Sequence, residues 1–174
     1  SLHEPFLVGD SYVRQYDGKY HMWYIAGLRW VKETETSVPD RVYKIRYALS
    51  DDGQTWAPKN INIIPDVLNE NECQALPSVL KIDDTYHMVF CFRDVFGFRK
   101  DPSKGYRLGY ASSRDLVTWA RDDTLVGLTV SAEGWDSSMM CYPHIFECDK
   151  KIYLLYNGNE FGRAGFGAAI LESL

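Results

Sequence analysis

Asp17-Gly18-Lys19-Tyr20-His21-Met22-Trp23-Tyr24 sets the pattern of the chain, because similar segments return twice, each 66 residues further on. The second copy is Asp83-Asp84-Thr85-Tyr86-His87-Met88-Val89-Phe90, and the third is Asp149-Lys150-Lys151-Ile152-Tyr153-Leu154-Leu155-Tyr156. In each copy a short polar turn precedes a run rich in aromatic and aliphatic residues, which is the pattern of a β-hairpin. The chain is therefore predicted to contain three copies of one β-sheet unit.

A second pattern follows the first two hairpins. Tyr43-Lys44-Ile45-Arg46-Tyr47-Ala48 returns as Tyr106-Arg107-Leu108-Gly109-Tyr110-Ala111, and both copies lead into Ser-x-Asp-x-x-Thr-Trp. The third unit offers residues 165–170 for the strand, and the sequence reaches Leu174 without a third such turn. Asp52 and Asp115 of these turns can accept backbone N–H bonds while the tryptophans pack between sheets, so a structural role is expected for them.

The sequence pattern of each unit thus predicts, in this order, a strand, a turn, a second strand, a loop, a third strand, an Asp-bearing turn and a fourth strand. Four-stranded units of about 60 residues are typical of β-propeller blades, and no amphipathic helical pattern interrupts them. We predict an all-β fold with one partial β-propeller domain over 1–174, made of units at approximately 1–66, 67–132 and 133–174. This corresponds to about 2.5 to 3 blades of four antiparallel strands, whereas a closed ring needs ~4 to 8. Missing blades are expected from a longer parent chain or from a second copy.

The composition limits the classes of partner. With 174 residues, 45% of them hydrophobic, and a net charge of −5, the chain can form a core and is not expected to bind nucleic acid, which requires a basic face. No apolar run reaches the ~18 residues of a membrane span, so no membrane partner is expected. The compartment stays open between the cytoplasm, which is slightly favoured, and secretion under a signal upstream of Ser1. Buried free thiols are expected for Cys73, Cys91, Cys141 and Cys148.

Acidic side chains precede the predicted inner strands. Because inner strands surround the central channel of a propeller, the segments 3–10, 70–77 and 133–144 are expected to converge. Two carboxyl groups facing one substrate can act as general acid and general base. The catalytic candidates, which include one residue after the third hairpin, are Glu4, Asp10, Glu72, Asp136 and Glu160.

This arrangement resembles the five-bladed propeller glycosidases of glycoside hydrolase family 43, with relatives in families 32 and 130. The resemblance covers essentially the whole chain, which looks like the C-terminal portion of a longer, uncharacterised bacterial member. It implies a glycoside hydrolase, or a related phosphorylase, that cleaves an oligosaccharide or polysaccharide with paired carboxylates. It also implies a third carboxylate that raises the pKa of the acid.

The family's carboxylates are matched only in part. Asp10 precedes the first inner strand without the usual following proline, and Glu4-Pro5 is a competing match. Gln74-Ala75-Leu76-Pro77 stands where Glu-Ala-Pro is expected, so that Glu72 is the nearest acid. Cys141-Tyr142-Pro143 carries no acid. A non-catalytic carbohydrate-binding propeller is therefore the alternative, and a protein-interaction propeller is a third hypothesis.

Further side chains are candidates for substrate binding, each with a structural role as the alternative. Histidines suit sugar hydroxyls or a central ion, amides and guanidinium groups suit sugar hydroxyls, and Trp135 or Tyr142 can stack on a pyranose. No metal ligand is assigned, and the resemblance leaves a central Ca²⁺ open. Glu72→Gln is expected to abolish turnover with little loss of stability. The binding candidates are His3, Gln74, Arg93, Asp94, Trp135, His144, Asn157 and Arg163.

Overall fold

The computed structural model describes residues 2–172 and shows an all-β chain with three antiparallel sheets, one from each repeat. The strands are β1 Val8–Tyr16, β2 Lys19–Val31, β3 Asp40–Ser50, β4 Ala57–Pro58, β5 Cys73–Ile82, β6 Thr85–Arg93, β7 Arg107–Ser113, β8 Ala120–Arg121, β9 Cys141–Cys148, β10 Lys151–Asn157 and β11 Phe166–Ile170. Their orders are β1-β2-β3-β4, β5-β6-β7-β8 and β11-β10-β9. The predicted propeller blades are confirmed, and the third has three strands in the described residues. We call them blades one, two and three.

The hairpin turns have the backbone geometry that their residues allow. Asp17 and Gly18 both have positive φ, 49° and 78°, as a type I′ turn between Tyr16 and Lys19 requires. Asp149 and Lys150 adopt the same region at 49° and 61°. This turn twists in the sense of the flanking strands, so the register of the first and third hairpins is fixed locally.

The inner strands begin earlier than the repeat alone predicts, because each contains a β-bulge. Counted back from the three hairpin turns, the repeat places their starts at Tyr12, Ser78 and His144, whereas β1, β5 and β9 begin at Val8, Cys73 and Cys141. The pairing register shifts within β1 and β5 and between β9 and β10, close to the start of each inner strand. One non-glycine residue in each bulge has positive φ: Asp10 (50°), Leu76 (50°) and Tyr142 (57°).

The core lies mainly between blades one and two. Trp23, Ile45 and Phe90 are completely buried there. Trp119, from the second Asp-bearing turn, packs its ring edge-on against Trp23, with the centroids 6.4 Å apart. Asp115 accepts hydrogen bonds from the amides of the turn, and these hold its pKa at about 2. The structural role predicted for this turn is confirmed.

The cysteine prediction holds for three of the four residues. Cys73, Cys91 and Cys141 are buried free thiols, whereas Cys148 is exposed because it ends β9 beside the third hairpin turn. The described residues form no α-helix, only 3-10 turns at Pro102–Lys104, Asp123–Val126 and Glu160–Gly162. None of these helices, in residues 2–172, has the length and apolar character needed to cross a membrane.

Candidate functional site

The inner strands β1, β5 and β9 meet through residues that the repeat makes equivalent. Tyr12, Ser78 and His144 are spaced by 66 residues, and His144 contacts both of the others. Ser78 Oγ lies 3.2 Å from His144 Nδ1, and the Tyr12 hydroxyl donates to the carbonyl of Val79 at 3.1 Å. The three inner strands therefore meet at one place in the fold, and the segments that precede them extend from that place.

Two residues earlier in each strand lie the three bulge residues Asp10, Leu76 and Tyr142, also spaced by 66. We call the surface around them the channel mouth. Non-glycine residues at positive φ cost about 1–2 kcal/mol and are enriched at functional sites. The same strained backbone in three blades, carrying three different side chains, points to this surface as the candidate site.

Asp10 supplies the carboxylate of the channel mouth. It is exposed, and within residues 2–172 its carboxylate has no hydrogen bond or ion pair with the protein. Neighbouring protein atoms nevertheless remove part of its hydration, and this burial raises the pKa of the carboxyl group. Burial, the two neighbouring cysteines and the charge of Asp10 together raise the pKa of Tyr142 to about 12.

Aromatic rings form the wall beside Asp10. The ring of Tyr142 stacks on Phe161 with centroids 6.1 Å apart, and Tyr106 lies 6.4 Å from Tyr142. The exposed guanidinium of Arg99 lies 5.7 Å from the centroid of Phe161. A carboxylate, a phenol, a guanidinium and apolar ring faces are the groups that hold a sugar, whose hydroxyls need donors and acceptors and whose C–H faces need apolar contact.

Part of this surface was not predicted from the sequence. Tyr142, for which the sequence suggests core burial as the alternative to stacking on a sugar, is 38% exposed. Its relation to Asp10 and Leu76 could have been found from the 66-residue spacing. Arg99 belongs to a basic run that reads as a solvated loop. No sequence pattern indicates that Phe161 lies beside Tyr142, because this position depends on the course of the loop after β10.

Glu72 lies away from this surface and is completely buried. Its Oε2 accepts from the amides of Val67 and Leu68 at 3.0 and 3.1 Å. Its Oε1 accepts from Gln74 at 2.9 Å and from the buried Arg121 at 2.6 Å. These contacts give Glu72 a structural role where blade two meets the segment that leaves blade one, and they leave it no surface toward a substrate.

The other carboxylate candidates are also engaged by protein groups. Glu4 accepts from the hydroxyl of Tyr24 and lies 3.7 Å from Arg46. The buried Asp136 accepts from the hydroxyl of Tyr156 at 3.3 Å, within blade three. Glu160 is exposed and forms a 2.7 Å ion pair with Arg163. Asp10 is thus the candidate whose carboxylate is exposed and without a protein partner among the described residues.

Three binding candidates have structural contacts. Gln74 is completely buried and bonds to the carbonyl of Ile64, to Asp66 and to Glu72. Arg93 is buried, with its guanidinium 3.6 Å from the ring centroid of Phe98, and donates to the carbonyl of the half-buried Asp94 at 2.7 Å. These contacts place Gln74 and Arg93 inside the first two blades rather than on the channel mouth.

The remaining candidates lie in different surroundings. His3 is exposed, and its carbonyl accepts from Arg46 at 3.0 Å. Trp135 stacks on Tyr156 with centroids 5.6 Å apart, and Asn157 donates to the carbonyl of Phe161. His144 is exposed beside Ser78, and burial followed by the charge of Arg14 lowers its pKa, so the imidazole is neutral at pH 7. Of these four, His144 lies on an inner strand, two residues from the bulge residue Tyr142.

A central metal ion would need several converging ligands. In residues 2–172 no group of three His, Cys, Asp or Glu side chains is placed to hold one. The described residues therefore do not fit a calcium site by themselves.

Comparison with known proteins supports the fold. No protein-family model matches the chain. Two proteins of Mycobacterium tuberculosis, both described as uncharacterised, are 34% identical to it over 170 residues, which are 98% of this chain and 52% of each relative. The chain thus spans about half the length of the curated relatives it matches.

Several of the similar solved structures are glycoside hydrolases. Zg3597, a family 117 glycoside hydrolase from the marine bacterium Zobellia galactanivorans, gives a TM-score of 0.75 at 19% identity over 95% of this chain and 53% of its own. A thermostable family 43 glycoside hydrolase gives 0.69 at 15% identity over 95% of this chain and 54% of its own. CoXyl43, a β-xylosidase/α-arabinofuranosidase from a compost metagenome in complex with xylotriose, gives 0.57 at 15% identity over 87% and 43%. At these identities the likeness establishes the propeller fold of the chain.

Proposed function

We propose that this chain contributes the channel mouth of a carbohydrate-active propeller, and that the complete propeller is a glycoside hydrolase. The observation that supports this most directly is Asp10, an exposed carboxyl group with a raised pKa on a strained bulge beside Tyr142. A carboxyl group whose pKa is raised is suited to protonate the oxygen of a leaving sugar. Asp10 is accordingly assigned the role of general acid.

The second carboxyl group of the reaction comes from outside this chain. A glycosidase needs two carboxyl groups, ~5–5.5 Å apart for retention or ~6.5–9.5 Å apart for inversion. Glu4, Glu72, Asp136 and Glu160 are each held by protein partners. The missing carboxylate would stand on the remaining blades, either in a longer protein that includes this chain or in a second copy.

The sugar would lie against the aromatic wall. Tyr142 and Phe161 offer ring faces to a pyranose or furanose, and Arg99 can donate to its hydroxyls. Because Tyr142 combines a stacking face with a hydroxyl next to Asp10, Tyr142→Ala should weaken binding more than Tyr142→Phe.

Release of reducing sugar from an oligosaccharide panel that includes xylotriose tests the proposal, with the complete propeller as the enzyme. Asp10→Asn should lower kcat at least 100-fold, since general acid catalysis contributes about 10²–10⁴-fold. Asp17→Asn is the matched control, because Asp17 has the same backbone conformation at 49° and lies in a hairpin turn. Equal activity of the two variants would remove Asp10 from the mechanism.

The pH profile provides an independent test of the acid role. A general acid works while protonated, so kcat should fall as the pH rises through the raised pKa of Asp10. Asp10→Asn should abolish this alkaline limb in the residual activity. A limb that persists unchanged in the variant would belong to another group.

A carbohydrate-binding propeller without catalysis is the second candidate. It is favoured by Leu76 and Tyr142, which occupy the other two bulge positions without any carboxyl group. Titration of the ¹⁵N-labelled 174-residue chain with xylotriose would distinguish the two. Shifts at Asp10, Tyr142 and Phe161, combined with no product release by the complete propeller, would favour binding alone.

A further inference from the structure

An apolar groove lies between blades two and three. It has a volume of about 690 Å³ and is bounded by β6 and β7 on one side and by β9, β10 and β11 on the other. Most of the side chains that line it are aliphatic, among them Val89, Ile145, Ile152 and Leu154. His87 and Glu172 are its titratable groups besides two tyrosines. We call this surface the interblade groove.

The residues of the interblade groove have equivalents at the interface between blades one and two. His87 and Val89 correspond to His21 and Trp23 at the spacing of 66 residues. Tyr110 pairs with Val89 as Tyr47 pairs with Trp23. The contact between histidine Nδ1 and tyrosine hydroxyl is 2.7 Å in both places. The two interfaces therefore present the same framework to the next blade.

At the first interface the corresponding space is filled. Leu116 and Trp119, from the Asp-bearing turn of blade two, are 4% and 6% exposed, and Trp119 contacts Trp23. The indole N–H donates to the carbonyl of Leu116 at 3.1 Å, so its polar atom is satisfied within the turn. A turn of this kind can enter an apolar interface without leaving an unpaired donor.

The end of β11 leads toward the interblade groove. The amide of Leu171 donates to the carbonyl of Ile152 at 2.9 Å, and Ile152 lies 66 residues after Tyr86, which pairs with Ser113. Leu171 thus occupies in blade three the position of Ser113 in blade two. Leu171 and Glu172 line the groove. In blade two, Trp119 follows Ser113 by six residues, so the position six residues after Leu171 corresponds to Trp119.

We propose that the interblade groove is the docking site of a tryptophan-bearing turn contributed by polypeptide that continues β11. The indole would lie against Val89 and Ile152, as Trp119 lies against the first blade. The turn would also bring a fourth strand to blade three. The occupant is recognised by shape and apolar contact, because the groove offers few polar partners.

The 174-residue chain extended by Val-Thr-Trp-Ala-Arg after Leu174 tests the proposal. This repeats residues 117–121 and sets a tryptophan six residues after Leu171, the spacing between Ser113 and Trp119. The matched control carries Val-Thr-Ala-Ala-Arg. Burial of the indole should raise the Tm by about 4–10 °C over the control. Methyl resonances of Val89 and Ile152 should shift, whereas those of the exposed Val8 and Val38 should not.

Two outcomes would overturn the proposal. Equal Tm values for the two extended chains, with unshifted Val89 and Ile152 methyl groups, would show that the indole does not enter the groove. Light scattering that finds the unextended chain as a dimer, with the groove methyl groups protected in that dimer, would assign the surface to a second copy.

Discussion

Glu72→Gln tests the assignment of this residue to the framework instead of the chemistry. In the folded chain, Oε1 of Glu72 accepts from Gln74 and Arg121 while Oε2 accepts from two backbone amides. A glutamine side chain has one oxygen and one NH2 group. In either orientation its NH2 would face two donors, and the buried Arg121 would keep Asp123 as its one carboxylate partner.

The expected loss follows from burial of the pair. The side chains of Arg121 and Glu72 are 1% and 0% exposed and lie 2.6 Å apart. Removal of one member of a buried ion pair costs about 3–5 kcal/mol when the other charge is left desolvated without compensation. Arg121 keeps its 2.9 Å ion pair with Asp123, so the expected loss is at the lower end, about 3 kcal/mol. For a chain of this size, 1 kcal/mol corresponds to about 2–4 °C, so the Tm should fall by about 6–12 °C.

Calorimetry and urea denaturation of Glu72→Gln and Glu70→Gln measure this difference. Glu70 lies two residues earlier, its side chain is 83% exposed, and its ion pair with Arg29 is long at 3.8 Å. The control should stay within about 0.5 kcal/mol of the parent chain. Equal stability of the two variants would refute the structural assignment and return Glu72 to the list of catalytic candidates.

Three further predictions concern single residues. Backbone amides hold the pKa of Asp115 at about 2, so the ionised carboxylate stabilises the fold above its unfolded pKa of ~3.9, and this stabilisation is lost as the pH falls through 2. The urea midpoint should therefore fall less steeply below pH ~4 in Asp115→Asn than in the parent chain. Ellman's reagent should titrate Cys148 alone in the native chain and four thiols in guanidinium, and Cys148→Ser should bring the native count to zero. The side chain of Asn159 forms hydrogen bonds with residues 134, 138 and 139, so Asn159→Ala should lower the free energy of unfolding in urea by about 2–5 kcal/mol. The loss should be larger than that of the control Asn62→Ala, which removes one 3.3 Å hydrogen bond.

The hairpins and the three sheets could be predicted because their signals are local. Asp17-Gly18 and its equivalents fix a tight turn, and apolar runs on both sides fix the strands and their pairing. The roles of Asp52 and Asp115 were also accessible, since an aspartate two residues after a serine can accept the amides of its own turn. None of these inferences requires contacts between distant residues.

The candidate site could be predicted only in part. Asp10 was identified, but Glu72 was grouped with it because the repeat predicts that both precede an inner strand, whereas Asp10 lies within β1. The difference between them lies in Arg121, 49 residues away from Glu72, which converts that carboxylate into one half of a buried pair. Phe161 and Arg99 approach Tyr142 through loops whose course is set by tertiary contacts. Sequence spacing cannot encode such contacts.

The three bulges share one backbone conformation but carry different side chains. Asp10, Leu76 and Tyr142 share one backbone conformation, although none is glycine and each is disfavoured there. Surrounding sheet pairing must therefore impose the conformation in every blade, whatever the side chain. If the strain served only to bend the strands, Gly at these positions would stabilise the chain and leave ligand binding intact. If it presents side chains to the channel, Asp10→Gly should gain stability and lose function, and thermal denaturation of this variant beside sugar hydrolysis by the complete propeller would separate the two explanations.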